Sequence, residues 1–206
     1  MLKILGRANS INVQKVLWCA GLLGIRYERH DVGGAFGGNT TPAYLAKNPN
    51  GRVPVIEDDD FVLWESNAIV RYLAAKHGMG TLWPMDLRVR ADADRWMDWQ
   101  ATTLTPAMTA VFWGLIRTAE DKRDHAAIDQ SIKDSAAAMV ILDRALSGRA
   151  FVAGDQCTMG DIPVACATHR WLQLPVARPR LAHVARWYRQ LMTTPAAAGV
   201  LTVPIT

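Results

Sequence analysis

The stretch Asn50-Gly51-Arg52-Val53-Pro54-Val55-Ile56-Glu57, NGRVPVIE, sets strand-forming residues around a proline. Val53, Val55 and Ile56 favour a pleated backbone. Pro54 cannot donate to a sheet ladder, so it marks either an edge strand or a bend. The bend would be a cis Val53-Pro54 bond, turning the N–H and C=O of Val53 toward a ligand. The surrounding sequence says how the stretch is used.

Downstream, Val53 to Glu57 and Phe61 to Trp64 read as two hairpin arms around Asp58-Asp59-Asp60, because aspartate tolerates turn geometry. Glu65-Ser66-Asn67 then leads into a helix through Ala74, with Ser66 as the expected N-cap. Upstream, Leu2 to Leu5 is a short apolar strand ending at Gly6. Val13, Val16, Leu17 and Ala20 follow at helical spacing, with Gly24 as a stop. Tyr27 to Val32 is a second strand, and Thr41-Pro42 opens a short helix with Tyr44 and Leu45. Gly33 to Gly38 is glycine-rich, but no G-K-[ST] follows it, so it reads as a loop and not as a phosphate cradle. The order β-α-β-α-β-β-α predicts an α/β domain with a mixed four-stranded sheet over residues 1–77.

Residues 78–88 break the pattern and read as a linker. Residues 89–206 contain no convincing strand and predict an all-α helical bundle. Arg90 to Arg117 carries Ala93, Trp96, Met97, Gln100, Thr103 and Leu104 on one helical face. Ile128 to Leu146 and Leu181 to Met192 are further helices. Thr158-Met159-Gly160-Asp161 is a T-x-x-D pattern suited to capping the helix that begins at Ile162.

The 206 residues carry a formal net charge of +4, too little to imply nucleic acid. The histidines and arginines between His169 and Arg189 read as a solvated, helix-capping face. No apolar run is long enough for a membrane span. Cys19, Cys157 and Cys166 are an odd, scattered set without C-x-x-C spacing, which argues against a disulfide framework or a zinc site and favours a reducing cytoplasm.

NPNGRVPVIEDDDFVLWESNAIVRYLA and FVAGDQCTMGDI together resemble the glutathione S-transferase family, over nearly the whole chain. The pairing of V-P with E-S after a hairpin carries most of the likeness. The resemblance implies a thioredoxin-like first domain, a helical second domain, glutathione as co-substrate without a metal, and a homodimer. It also implies that Pro54 is cis and that Val53 pairs with the cysteinyl backbone of glutathione as a short antiparallel strand. Ser66, at a helix start, suits the γ-glutamyl carboxylate, and Glu65 the α-ammonium. Asn39 and Arg52 are candidates for the glycyl end.

In this family the catalytic task is to stabilise a thiolate. A free thiol has a pKa of about 8.5. Lowering it by two units takes about 2.7 kcal/mol of preferential anion binding. One hydrogen bond to a charged partner contributes about 1.5–3 kcal/mol, and a helix N-terminus about 0.3–1. One donor at a helix start is therefore nearly sufficient. RANSINVQKVLW places Ser10 and Asn12 where the first helix begins, and either suits the role. Ser10 and Val13 stand where a dithiol enzyme has cysteines, which excludes internal dithiol redox. No histidine or carboxylate adjoins Ser10 in sequence to make it a covalent nucleophile. The expected activity is transfer of glutathione to a small hydrophobic electrophile. A glutathione-dependent peroxidase or disulfide reductase, and a non-catalytic glutathione-binding interaction module, are the alternatives. Cys19 reads as buried packing.

Overall fold

The computed structural model describes residues 1–206. Strand β1 (Leu2–Leu5) leads to helix α1 (Ile11–Leu22) and strand β2 (Tyr27–His30). Helix α2 (Pro42–Leu45), strands β3 (Val55–Asp58) and β4 (Phe61–Trp64) and helix α3 (Ser66–His77) follow. The sheet order is β2-β1-β3-β4. Strand β1 pairs parallel to β2, with Leu2 opposite Tyr27, and antiparallel to β3, with Ile4 opposite Ile56. Strands β3 and β4 form the expected hairpin, closing at Asp58 and Phe61.

The bundle begins with α4 (Leu87–Trp99) and α5 (Thr105–Phe112), continues with α6 (His125–Ala145) and α7 (Asp161–Gln173), and ends with α8 (Ala182–Met192). A π turn at Gln100–Leu104 joins α4 to α5, and another at Trp113–Arg117 extends α5. Pro106 accounts for the first: it has no N–H to offer the carbonyl four residues back, so the ladder must slip. The slip also corrects the expected face. Ala93, Trp96, Met97, Gln100 and Leu104 are buried, but Thr103 is exposed. No helix is long and apolar enough to cross a membrane.

Helix α1 is buried without interruption from Val13 to Ala20. Such a run is not amphipathic; it arises because α3 packs on one side of α1 and α7 on another. One core of 41 buried residues runs from Ile4 and Ile56 in the sheet through α1 to Leu104, Met139, Trp171 and Trp187 in the bundle. Because that core is continuous, the sheet unit and the helical unit share an interior.

The T-x-x-D pattern serves otherwise than expected: α7 begins at Asp161, and the N-cap place falls to Gly160, with no side-chain capping bond. Asp161 is fully buried and accepts from the N–H groups of Val152 (3.0 Å) and Thr158 (2.9 Å), the Thr158 hydroxyl (3.2 Å) and the Trp187 indole (2.9 Å). It thus ties the loop before α7 to α8. The basic C-terminal region divides. Arg178 caps α7 through the carbonyls of Trp171 and Leu174, and Arg186 caps α6 through Leu146. His169, expected on a solvated face, is instead buried between the Tyr188 hydroxyl (2.7 Å) and the Val203 carbonyl (3.1 Å). Cys19 is buried, and desolvation pushes its thiol up to about 12.

Candidate active site

The turn after β1 is held tightly. A side chain on Gly6 would meet Val13 Cγ2 at 2.5 Å and Val53 Cβ at 3.2 Å. Only glycine lets the end of β1, the first turn of α1 and the Val53 loop converge there. The Val53-Pro54 bond is cis. Strand β3 begins at Val55, two residues later than the sequence suggests, so Val53 lies outside the ladder and neither its N–H nor its C=O has a protein partner. Tyr44 Oη (2.8 Å) and Asn48 Nδ2 (2.7 Å) both donate to the carbonyl of Arg52 and fix the approach to the bend.

Ser10 caps α1 in extended backbone, and its hydroxyl makes no capping bond. The first main-chain bond of the helix runs from Gln14 N–H to the Ser10 carbonyl at 2.8 Å, which leaves the N–H groups of Ile11, Asn12 and Val13 open. Asn12 lies inside the first turn of α1, not ahead of it. Its carbonyl oxygen accepts from Ser66 Oγ at 3.3 Å, while its amide nitrogen has no protein partner. Ser10, Asn12, Val53, Asn39 and Arg52 all line one cleft of about 440 Å³. Asn39 also donates to the Gly51 carbonyl at 2.7 Å, so it ties two loops together as well as facing the cleft. Arg52 is exposed.

Ser66 is not the N-cap of α3. Glu65 holds that place, with φ 71°, and Ser66 is the first helical residue. A left-handed φ is uncommon for a residue with a side chain and marks local strain. The first main-chain bond is from Ile69 N–H to the Glu65 carbonyl (2.9 Å), so the N–H groups of Ser66, Asn67 and Ala68 stay open. They border a second cleft of about 460 Å³ that shares Asn12 with the first and adds Glu65, Arg71 and Lys15. The two clefts thus form one path from the start of α3, past Asn12, to Ser10 and Val53.

Lys15 is a residue that the sequence reading missed. It is 4% exposed, and its Nζ donates to Gln100 Oε1 (2.9 Å), Asn67 Oδ1 (3.1 Å) and Ser66 Oγ (3.4 Å), with no carboxylate among them. Desolvation pushes it down to about 8. No signal in the sequence marks it, because a lysine on a helix ordinarily keeps its charge in water. Arg7, Arg117 and Arg170 were missed as well, and all three line the cleft beside Ser10, with Phe112 and Trp113. Arg170, expected to be solvated, faces the cleft because α7 packs against α1. Spacing within the C-terminal region gives no sign of that approach.

A model of the glutathione S-transferase N-terminal domain matches residues 9–76, and one of the C-terminal domain matches residues 104–195. The chain is 41% identical to glutathione S-transferase GstB of Escherichia coli, with 100% of each chain covered. It is 29% identical to glutathione S-transferase 4 of Zea mays, over 96% of this chain and 91% of that one. The theta class glutathione S-transferase of Xanthomonas axonopodis pv. citri, solved with glutathione bound, superposes with a TM-score of 0.96 at 45% identity, covering 100% of this chain and 99% of that chain.

Proposed function

The chain belongs to the glutathione S-transferase family, and from that premise we propose that it grips glutathione along Val53 and ionises the thiol beside Ser10. Val53 supplies the N–H and C=O for the cysteinyl main chain. The open N–H groups of Ser66 to Ala68 take the γ-glutamyl carboxylate, where the α3 dipole favours an anion. Glu65 takes the α-ammonium. Asn39 and Arg52 hold the glycyl end. With the tripeptide so placed, its sulfur meets the Ser10 hydroxyl, the free amide of Asn12 and the open end of α1.

One observation carries the reading: an uncommitted hydroxyl at a helix start lies in the same cleft as a valine whose main chain is unpaired. The bound thiolate then attacks a small electrophile whose apolar body rests on Ile11, Phe112 and Trp113. In the cell this is detoxification chemistry in the cytoplasm, performed by a homodimer. The free thiols of Cys19, Cys157 and Cys166 accord with a reducing compartment. The exposed Phe61 and Val62 on edge strand β4 offer apolar surface to a second copy, and sedimentation of the purified protein tests this by its mass.

The decisive measurement is a thiolate absorbance titration of bound glutathione. The complex should ionise at least about one pH unit below free glutathione. Ser10→Ala should raise that midpoint by about a unit, the equivalent of one charge-assisted hydrogen bond, and Asn12→Ala by less. A midpoint equal to that of free glutathione, unmoved by both changes, would sink the proposal. Tight binding of glutathione without turnover of any electrophile would favour the non-catalytic reading.

A further inference from the structure

The cleft beside Ser10 is lined by Arg7, Arg52, Arg117 and Arg170, and by no acidic residue. In the reading above, which this inference rests on, glutathione uses only the Arg52 side. Of the other three, Arg117 and Arg170 come from the helical unit, and Arg7 comes from the β1–α1 turn, against Gly34.

None of those three belongs to an ion pair. Arg117 has a partner, since its Nε (3.2 Å) and Nη2 (2.7 Å) donate to the Thr206 main-chain oxygen. Arg7 and Arg170 do not. Arg7 Nη1 and Arg170 Nε are buried and have no hydrogen-bond partner. The Arg170 guanidinium carbon lies 3.9 Å from the Phe112 ring centre, and that of Arg117 lies 4.9 Å from the same ring. Burial is the main force on Arg170, pushing it down to about 10, and repulsion from Arg117 and Arg7 adds to it. Like charges have been gathered with nothing to neutralise them. Burying guanidinium groups without an acceptor is costly, and the parts of these side chains that line the cleft meet no carboxylate, so an anion in the cleft would supply the acceptor the protein does not.

We propose that the second substrate is an electrophile bearing a carboxylate, and that Arg170 and Arg7 bind this carboxylate while its apolar body lies against Phe112 and Trp113. Guanidinium donors match a carboxylate in shape and charge. Trp113 is 52% exposed, which leaves apolar surface for the body of the molecule. The sulfur of glutathione forms a bond to the electrophilic carbon, the bond to the leaving group breaks, and that group departs with the bonding pair as an anion. The thiol proton has already gone to solvent.

Two other uses of the same charges are separable. Arg7 and Arg170 would favour the thiolate itself if they faced the sulfur, and would then act on every electrophile alike. If they held the glycyl carboxylate of glutathione, their loss would raise the KM for glutathione.

The test compares a chloronitrobenzoate, with chlorine para and nitro meta to the carboxyl group, against the matching benzamide. Each kcat/KM is divided by the uncatalysed rate with glutathione. The protein should prefer the benzoate by about tenfold or more, the discrimination expected from one charge-assisted hydrogen bond. Arg170→Gln and Arg7→Gln should each cut that preference by about tenfold. Arg170→Lys should restore part of it, and Arg180→Gln, on an exposed loop, should leave it unchanged. A preference that is absent, or untouched by Arg170→Gln, overturns the proposal; so does a KM effect confined to glutathione. Calorimetry adds a readout free of turnover. Unreactive nitrobenzoate should bind in the presence of S-methylglutathione, and nitrobenzamide should bind more weakly. If S-methylglutathione binds and nitrobenzoate does not, the carboxylate inference alone falls. If S-methylglutathione itself fails to bind, the glutathione reading falls and takes this inference with it.

Discussion

Glu65 is the residue where local geometry and binding pull apart. Its φ of 71° costs energy for any residue with a Cβ, and its side chain makes no capping hydrogen bond that would offset the cost. Its charge does favour that of buried Lys15, as a lesser effect than desolvation. Glycine adopts this conformation freely. Glu65→Gly should therefore hold or raise thermal stability, measured by a melt, while weakening glutathione by about tenfold as an ion-assisted bond is lost. A melt that drops by many degrees, with affinity intact, would make Glu65 a structural cap and nothing more. Much at this scale was legible. Pro54 narrowed the V-P stretch to an edge strand or a bend, and the family resemblance, carried by V-P together with E-S, chose the cis bend that the structure has. The left-handed φ at Glu65 was not legible, because glutamate gives no hint of it; Ser66 alone suggested a cap one residue too late.

Among the elements, α7 depends on one side chain. Asp161 satisfies three N–H donors and a hydroxyl across three segments. Asp161→Ala would strand the Val152 and Thr158 amides and the Trp187 indole in the interior. Each unsatisfied donor costs about 1–3 kcal/mol, so urea unfolding should show a loss of about 3 kcal/mol or more. Asp161→Asn keeps one acceptor and should lose less. An alanine variant within half a unit of wild type, on the scale of about 0.5 kcal/mol typical of surface changes, would mean that water or relaxation satisfies the site. The T-x-x-D spacing predicted that Thr158 and Asp161 would pair, but the helix starts at Asp161, with Gly160 in the N-cap place and no side-chain capping bond there. It did not predict the link to Trp187, 26 residues on. The π turns were equally hidden: Pro106 was plain to see, but how the surrounding ladder would absorb it depends on what α4 and α5 pack against.

Across the whole molecule, Lys15 is where the two units meet, joined to Ser66 and Asn67 of α3 and to Gln100 in the bundle. In an unfolded chain its amine titrates near 10.5; in the folded protein desolvation brings it to about 8. Between those values the unfolded chain binds the extra proton. Stability therefore rises with pH across the window, and below it the folded state bears the burial of the charge in full. Lys15→Met, which fills similar space without a charge, should flatten that slope. The difference in unfolding free energy between the two proteins should change by up to about 3 kcal/mol from the bottom to the top of the window. Parallel pH profiles would show that the lysine titrates normally. A sequence cannot reveal this lysine's burial. Its i, i+3 and i+4 neighbours on α1 are apolar or small, but only the approach of α7 and the π turn closes water out. The same holds for Arg7 and Arg170, which stand 163 residues apart in the chain and meet only after the bundle docks on the sheet.

The tight junction at Gly6 has a bearing on how such a protein can change over generations. A single methyl group there would press on Val13 and Val53 together, disturbing both the helix start proposed to ionise sulfur and the loop proposed to grip the peptide. That side of the cleft is a rigid mould with no slack for tinkering. New chemistry has room to arise only on the facing wall, where Trp113, Arg117 and Arg170 project from the helical unit, whose core can stay as it is. Divergent descendants of this chain would accordingly keep one nucleophile and acquire different targets.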